Sequence, residues 1–339
     1  MKILSKFYLL AFTIFLLNAC KKSDSDIPTK QLSHTSSIST DLSVPSSLIV
    51  SGEYFIVTDL MGTDNVIIYG KDGKIKAKAA SKGESSTEVL EASNVELQNI
   101  DGKDILNVYD LEKGKILTYD LKALISSENE IPTVKNIESE NRYYNVCKLS
   151  KGYAALGMFE DHKFDILDDS TKLLGKYGEY LPNKNDATNA MVNASANFGK
   201  SVVSPNSKLL VNVTYAAGVL RFYNIDGNKL KHVKDAVICQ MNYKVKGDDY
   251  VNESGMGFLS AAISKKYVYA IYSGEKEDVK SPVPSGKYVY KYDYSGNLIN
   301  KYELDNATFS IAVAPDDSRL YTIADNKGYC IYTYSMKDL

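Results

Sequence analysis

Histidine and cysteine are sparse in this chain, and their spacing limits the chemistry it can do. His34, His162 and His232 are the only histidines among 339 residues. None belongs to a His-Glu-x-x-His or His-x-His pattern, the spacings that bring two imidazoles to one zinc ion. No Gly-x-Ser-x-Gly elbow presents a serine nucleophile, and no glycine-rich loop cradles a phosphate. The Asp pairs at 168/169, 248/249 and 316/317 sit among Ser, Lys and Gly and read as turn formers. Cys147, Cys239 and Cys330 each lie in an apolar or aromatic run. Their odd number and wide spacing make no disulfide framework, so they read as small buried hydrophobes. The sequence thus assigns no catalytic residue, no metal ligand and no cofactor.

Recognition chemistry is better represented. Residues 177–198 include Glu179, Tyr180, Asn183, Asn185 and Asn189. Amides form paired hydrogen bonds and a tyrosine ring can stack, so these five residues make a candidate ligand-binding loop. The same composition suits a solvated linker. Tyr288, Tyr290, Tyr292 and Tyr294 alternate along one strand and share one of its faces. That column is either a sugar platform or, as we favour, packing in which each tyrosine buries its ring and wets its hydroxyl.

One cysteine stands apart. Lys2 and Lys6 precede an apolar run over residues 7–17, and Leu17-Asn18-Ala19 leads directly into Cys20. The run is about half the roughly 20 residues that a membrane-spanning helix needs, as in a cleaved secretory leader. The small residue before a cysteine resembles the lipobox of bacterial lipoproteins. That resemblance implies that residues 1–20 are a signal peptide and that Cys20 becomes an acylated N-terminus. It also implies two or three acyl chains, enough for stable anchoring. Residues 21–35 are polar and read as a flexible tether. Without Lys2 and Lys6 the 40 basic residues become 38 against 42 acidic, a net charge of −4. Such a body lacks the basic footprint of a nucleic-acid binder.

These residues must be positioned by strands. The chain has 26 tyrosines, no tryptophan and no long Ala/Leu/Glu/Lys run, a balance that favours β structure. A unit of apolar strand, polar turn and lysine-bearing strand recurs six times, as in Val66-Ile67-Ile68-Tyr69-Gly70-Lys71-Asp72-Gly73 and Val289-Tyr290-Lys291-Tyr292-Asp293-Tyr294-Ser295-Gly296. Asp-Gly and Ser-Gly between alternating apolar residues mark tight hairpins. A second unit precedes several copies: Val203-Ser204-Pro205-Asn206-Ser207-Lys208-Leu209 and Val313-Ala314-Pro315-Asp316-Asp317-Ser318-Arg319-Leu320. Joined, the units give four strands per repeat. The repeats return at intervals of 40 to 69 residues, in the range of propeller blades with long loops.

On these turns, and on the glycine-bearing links at Gly83 and Gly175–Gly178, the chain resembles TolB-like six-bladed propeller lipoproteins of the Bacteroidetes. The expected fold is all-β: a six-bladed β-propeller of four-stranded antiparallel blades over residues 36–339. The last repeat lacks its fourth strand, which residues 36–44 are expected to donate. The expected role is a lipid-anchored, non-catalytic binding or scaffold module of the outer membrane, facing the periplasm or the exterior. It would recognise another envelope protein or a glycan. The alternative is a metal-dependent hydrolase or lactonase of the gluconolactonase propeller type, whose ligands come one per blade and leave no local motif. Three or more carboxylates converging from the inner strands would separate the two readings.

Overall fold

The computed structural model describes residues 27–127, 130–184, 189–276 and 284–337. Six blades follow one another around a ring. Blade 1 comprises Pro45–Ser51, Tyr54–Asp59, Asp64–Gly70 and Ile75–Ser81. Blade 2 comprises Ala92–Ile100, Lys103–Asp110, Lys115–Asp120 and Thr133–Asn136, and blade 3 Tyr143–Lys148, Tyr153–Gly157, Phe164–Leu167 and Leu173–Tyr177. Blade 4 is Gly199–Val203, Leu209–Thr214, Gly218–Asp226 and Lys229–Cys239; blade 5 is Phe258–Ile263, Tyr267–Tyr272, Gly286–Asp293 and Leu298–Thr308. Blade 6 has Ser310–Val313, Arg319–Asp325 and Tyr329–Ser335 from the C-terminal end. Its fourth strand is His34–Ser39, antiparallel to Tyr329–Ser335. The ring is therefore closed by the N-terminal strand, as expected.

The closing segment begins earlier than the sequence suggested. The strand is His34–Ser39, and the backbone amides of Ser43 and Val44 instead bond the Asp59 carboxylate at 2.8 and 2.7 Å. Thr29–Leu32 adds a fifth strand to blade 5, parallel to its outermost strand. Leu32 is buried there between blades 5 and 6. The tether expected over residues 21–35 thus gives way to folded structure at Thr29, and His34 sits in the wheel, 2.8 Å from Asp305. Thr-Lys-Gln-Leu shows no apolar alternation, because this strand takes its order from a partner some 270 residues away.

Each blade shares a hydrophobic cluster with each neighbour, which is why the middle strands are apolar on both faces. Phe55, Val57 and Ile67 of blade 1 meet Tyr321 and Ile323 of blade 6. Phe222 of blade 4 meets Phe258, Tyr290 and Tyr292 of blade 5. The tyrosine column is therefore packing between blades. Tyr269 turns to the opposite face of blade 5 and joins the cluster shared with blade 6, while the Lys291 ammonium lies 3.8 Å from the Tyr267 ring centroid.

The two Pro-bearing turns are built alike. Ser204 N–H bonds Leu209 O at 2.8 Å and Ala314 N–H bonds Arg319 O at 3.0 Å. Ser207 and Asp317 take left-handed φ of 50° and 59° at equivalent places. In the Asp293–Asn297 turn Gly296 has φ +74°, and a Cβ there would lie 3.2 Å from the Phe222 ring. Gly296→Val is expected to destabilise the protein by about 1–3 kcal/mol. An unchanged thermal midpoint would remove that turn from the argument.

Candidate functional site

The six inner strands surround a channel of about 1030 Å³. An inner strand pairs on one side only, so its other edge presents unpaired amides and carbonyls to the channel. Between blades 2 and 4 side chains take the place of the missing neighbour. Asn94, Glu96 and Gln98 alternate along Ala92–Ile100 and reach the first strand of blade 3. Asn94 Nδ2 donates to Val146 O at 2.7 Å and Gln98 Nε2 to Lys148 O at 2.9 Å. Glu96 Oε1 accepts Lys148 N–H at 2.8 Å. One blade on, Asn145 Oδ1 accepts Ser201 N–H at 3.0 Å and the Cys147 thiol donates to Ser201 O at 3.2 Å. These contacts stitch blade 2 to blade 3 and blade 3 to blade 4.

The electrostatics of this wall are unusual. Glu96 is the single carboxylate on the six inner strands. Desolvation pushes its carboxyl up to about 8, against a weaker lowering by the Lys148 amide and ammonium. It is therefore largely a neutral acid at pH 7. Lys148 is occupied by Asp169 at 2.7 Å. Lys200, on the inner strand of blade 4, lines the channel with no ion-pair partner among the described residues. Desolvation lowers its pKa. Asn145 is 1% exposed and its Nδ2 has no partner among the described residues. The Cys147 thiol, wholly buried, is pushed well above its ordinary range by desolvation. It is a packed donor, not a nucleophile.

Aromatic side chains frame the end of the channel where the inner strands begin. Tyr144 and Phe198 lie 4.4 Å apart between ring centroids, and Tyr215 is 5.8 Å from Phe198. Phe198 is 40% exposed, enough to meet a ligand.

The expected binding loop is built differently. Tyr180 hydroxyl donates to Phe159 O at 2.8 Å, and its ring covers the buried Lys163 ammonium at 5.7 Å. Lys163 also donates to Asn197 O, and desolvation takes its pKa down to about 7. Asn183 clasps the Tyr243 backbone through both amide atoms at 3.0 Å. Asn189 caps the helix Ala190–Ala196. The Glu179 carbonyl accepts from Arg221. Asn185, like Cys20, lies outside the described residues. Glu179, Tyr180 and Asn183 thus brace this segment against blades 3 and 4 and the hairpin of Tyr243–Lys246 and Asp249–Asn252, Asn189 holds the segment's own helix, and the channel offers the more open surface. His162, between Asp161 at 2.6 Å and Asp165 at 2.8 Å, is 6% exposed and stacks on Phe159. Among the described residues no three His, Cys, Asp or Glu side chains are placed to hold a metal ion. Cys147, Cys239 and Cys330 are free thiols.

A family model described as TolB-like 6-blade propeller-like matches residues 23–316. The chain belongs to this TolB-like family. Solved structures agree on the fold. A protein of Bacteroides fragilis NCTC 9343, proposed to be exported, is 9% identical over 91% of this chain and 100% of its own, with a TM-score of 0.54. The β-propeller domain of Cps50 (Swd1) from Myceliophteria thermophila is 12% identical over 86% of this chain and 84% of its own, TM-score 0.50. Raptor from Chaetomium thermophilum is 11% identical over 94% of this chain but only 30% of its own, TM-score 0.54. At such identities the likeness concerns architecture alone. No curated protein matches the chain. The inner-strand residues of this TolB-like propeller, Asn94, Glu96, Asn145 and Lys200, escaped sequence reasoning; a lone acid inside Val95-Glu96-Leu97 was the one available signal.

Proposed function

We propose that this propeller is a lipid-anchored binding module of the bacterial outer membrane, facing the periplasm or the exterior, that holds an envelope glycan or protein segment in its central channel without transforming it. The observation that carries this reading is the wall itself. Six inner strands supply Ser, Asn and Gln side chains, interleaved with apolar ones such as Ile49, Val95, Leu97 and Ile311, and open backbone edges to a cavity at the upper end of the roughly 300–1000 Å³ typical of ligand sites. Such a surface offers many hydrogen bonds and a single inner-strand carboxylate, which suits holding a ligand better than polarising a bond. A gluconolactonase-type reaction needs several converging acids; Glu91, Glu96 and Asp104 line the cavity, but among the described residues no three such side chains are placed to hold a metal ion.

The leader and Cys20 support the location. Cys20→Ala is expected to move the protein from the membrane pellet to the soluble fraction, because the lipid goes with the thiol. A variant that still sediments with envelopes would sink the anchoring. Binding is tested by crosslinking in detergent-solubilised envelopes, with Phe198→Ala as comparison. Capture of the same material by both proteins would place recognition away from the channel mouth.

A further inference from the structure

Resting on that reading, we infer that the ligand is an acidic sugar whose carboxylate docks beside Lys200 and Asn145 on the wall between blades 3 and 4. Four observations converge there. Lys200 is a half-buried cation facing the cavity with no carboxylate paired to it among the described residues. A desolvated ammonium without a counter-ion is unfavourable, and a ligand carboxylate supplies the missing charge. Next to it Asn145 lines the same cavity and keeps an amide N–H₂ without a partner, its oxygen being occupied by Ser201 N–H. Other buried polar atoms here also lack a partner, Asn107 Nδ2 among them, but among the described residues Asn145 is the orphaned amide donor that lines the cavity.

Three acids line the cavity, Glu91, Glu96 and Asp104. Asp104 already accepts from Ser51 and Asn99, and Glu96, the one acidic side chain on the inner strands, keeps its proton near neutral pH because the wall desolvates it, so it donates instead of repelling. Finally, Tyr144 and Phe198 stand at the mouth with rings 4.4 Å apart, one of them 40% exposed. Aromatic faces receive the apolar side of a pyranose ring, while serine and amide groups match its hydroxyls. An acid without hydroxyls would leave the serine and amide groups of this mixed wall unmatched, and a neutral sugar would leave Lys200 unpaired.

The test uses the soluble Cys20→Ala protein and isothermal titration with glucuronate, galacturonate, glucose, galactose and acetate. At least one uronate is expected to bind about tenfold or more tightly than its neutral counterpart and than acetate. Lys200→Met should erase the preference for the acid while leaving the melting temperature unchanged or higher, since a desolvated charge is removed. Phe198→Ala should weaken the uronate while keeping the preference. Equal binding of acidic and neutral sugars, full uronate affinity in Lys200→Met, or no uronate binding at millimolar concentrations would overturn the inference. The broader reading fails separately, when crosslinking captures nothing that depends on Phe198.

Discussion

A soluble protein beginning at residue 41 is expected to lose its cooperative thermal transition and to associate. The deletion removes both N-terminal strands. His34–Ser39 pairs along the edge of Tyr329–Ser335 from Cys330 to Tyr334, and Thr40 N–H and hydroxyl both donate to Tyr329 O at 3.0 and 2.7 Å. Leu32 leaves the cluster between blades 5 and 6, and Ile38 leaves the one between blades 6 and 1. The last blade then has an open edge with Tyr332 and Tyr334 beside it, a template for pairing with another chain. The expected loss exceeds about 5 kcal/mol, comparable to the whole stability of an ordinary domain. Adding a peptide of residues 27–40 in trans should restore the transition. A monomeric variant that melts cooperatively within a few degrees of the parent would show that the clasp is dispensable.

The second large effect concerns Glu96. Its carboxyl is raised to about 8 in the folded protein by desolvation, against about 4.3 in an unfolded chain. Between these values the folded state holds a proton that the unfolded state has released. Stability attributable to Glu96 is therefore present below about pH 4 and declines until about pH 8. The full interval corresponds to about 5 kcal/mol, and water in the channel reduces the realised loss to about 1–3 kcal/mol. Glu96→Gln keeps an oxygen for Lys148 N–H and cannot ionise. Denaturant unfolding of both proteins from pH 5 to pH 8.5 should show the parent falling relative to the variant. Parallel curves would mean that Glu96 is ionised in the folded state.

Blade number and hairpins were legible because their signals are local. Gly73, Gly227 and Gly296 take positive φ at the turns where Asp-Gly and Ser-Gly announced them, and the Pro-bearing turns at 204–209 and 314–319 repeat one hydrogen-bond pattern. The channel wall was not legible. Asn94, Glu96 and Gln98 alternate with apolar residues, the pattern of any strand with one wet face, and only closure of the ring turns that face against blade 3. The loop at 177–198 failed to declare itself for the opposite reason. Asn183 and Asn189 are residues that bind ligands or hold backbone, and nothing local shows that Tyr243 and the helix Ala190–Ala196 already claim them. Thr29–Leu32 was missed because its partner is remote in sequence.

The clasp leaves the ribosome before any strand of the blades that lie between it and its mate. His34–Ser39 must wait through synthesis until residues 329–335 have emerged. A sticky, branched-chain segment would be hazardous over that interval. This one reads His-Thr-Ser-Ser-Ile-Ser, with five of its six residues exposed even after closure and only Ile38 half-buried. Its hydrophilic make-up lets it idle safely among nascent neighbours, and assembly becomes committed only when the final blade arrives to receive it.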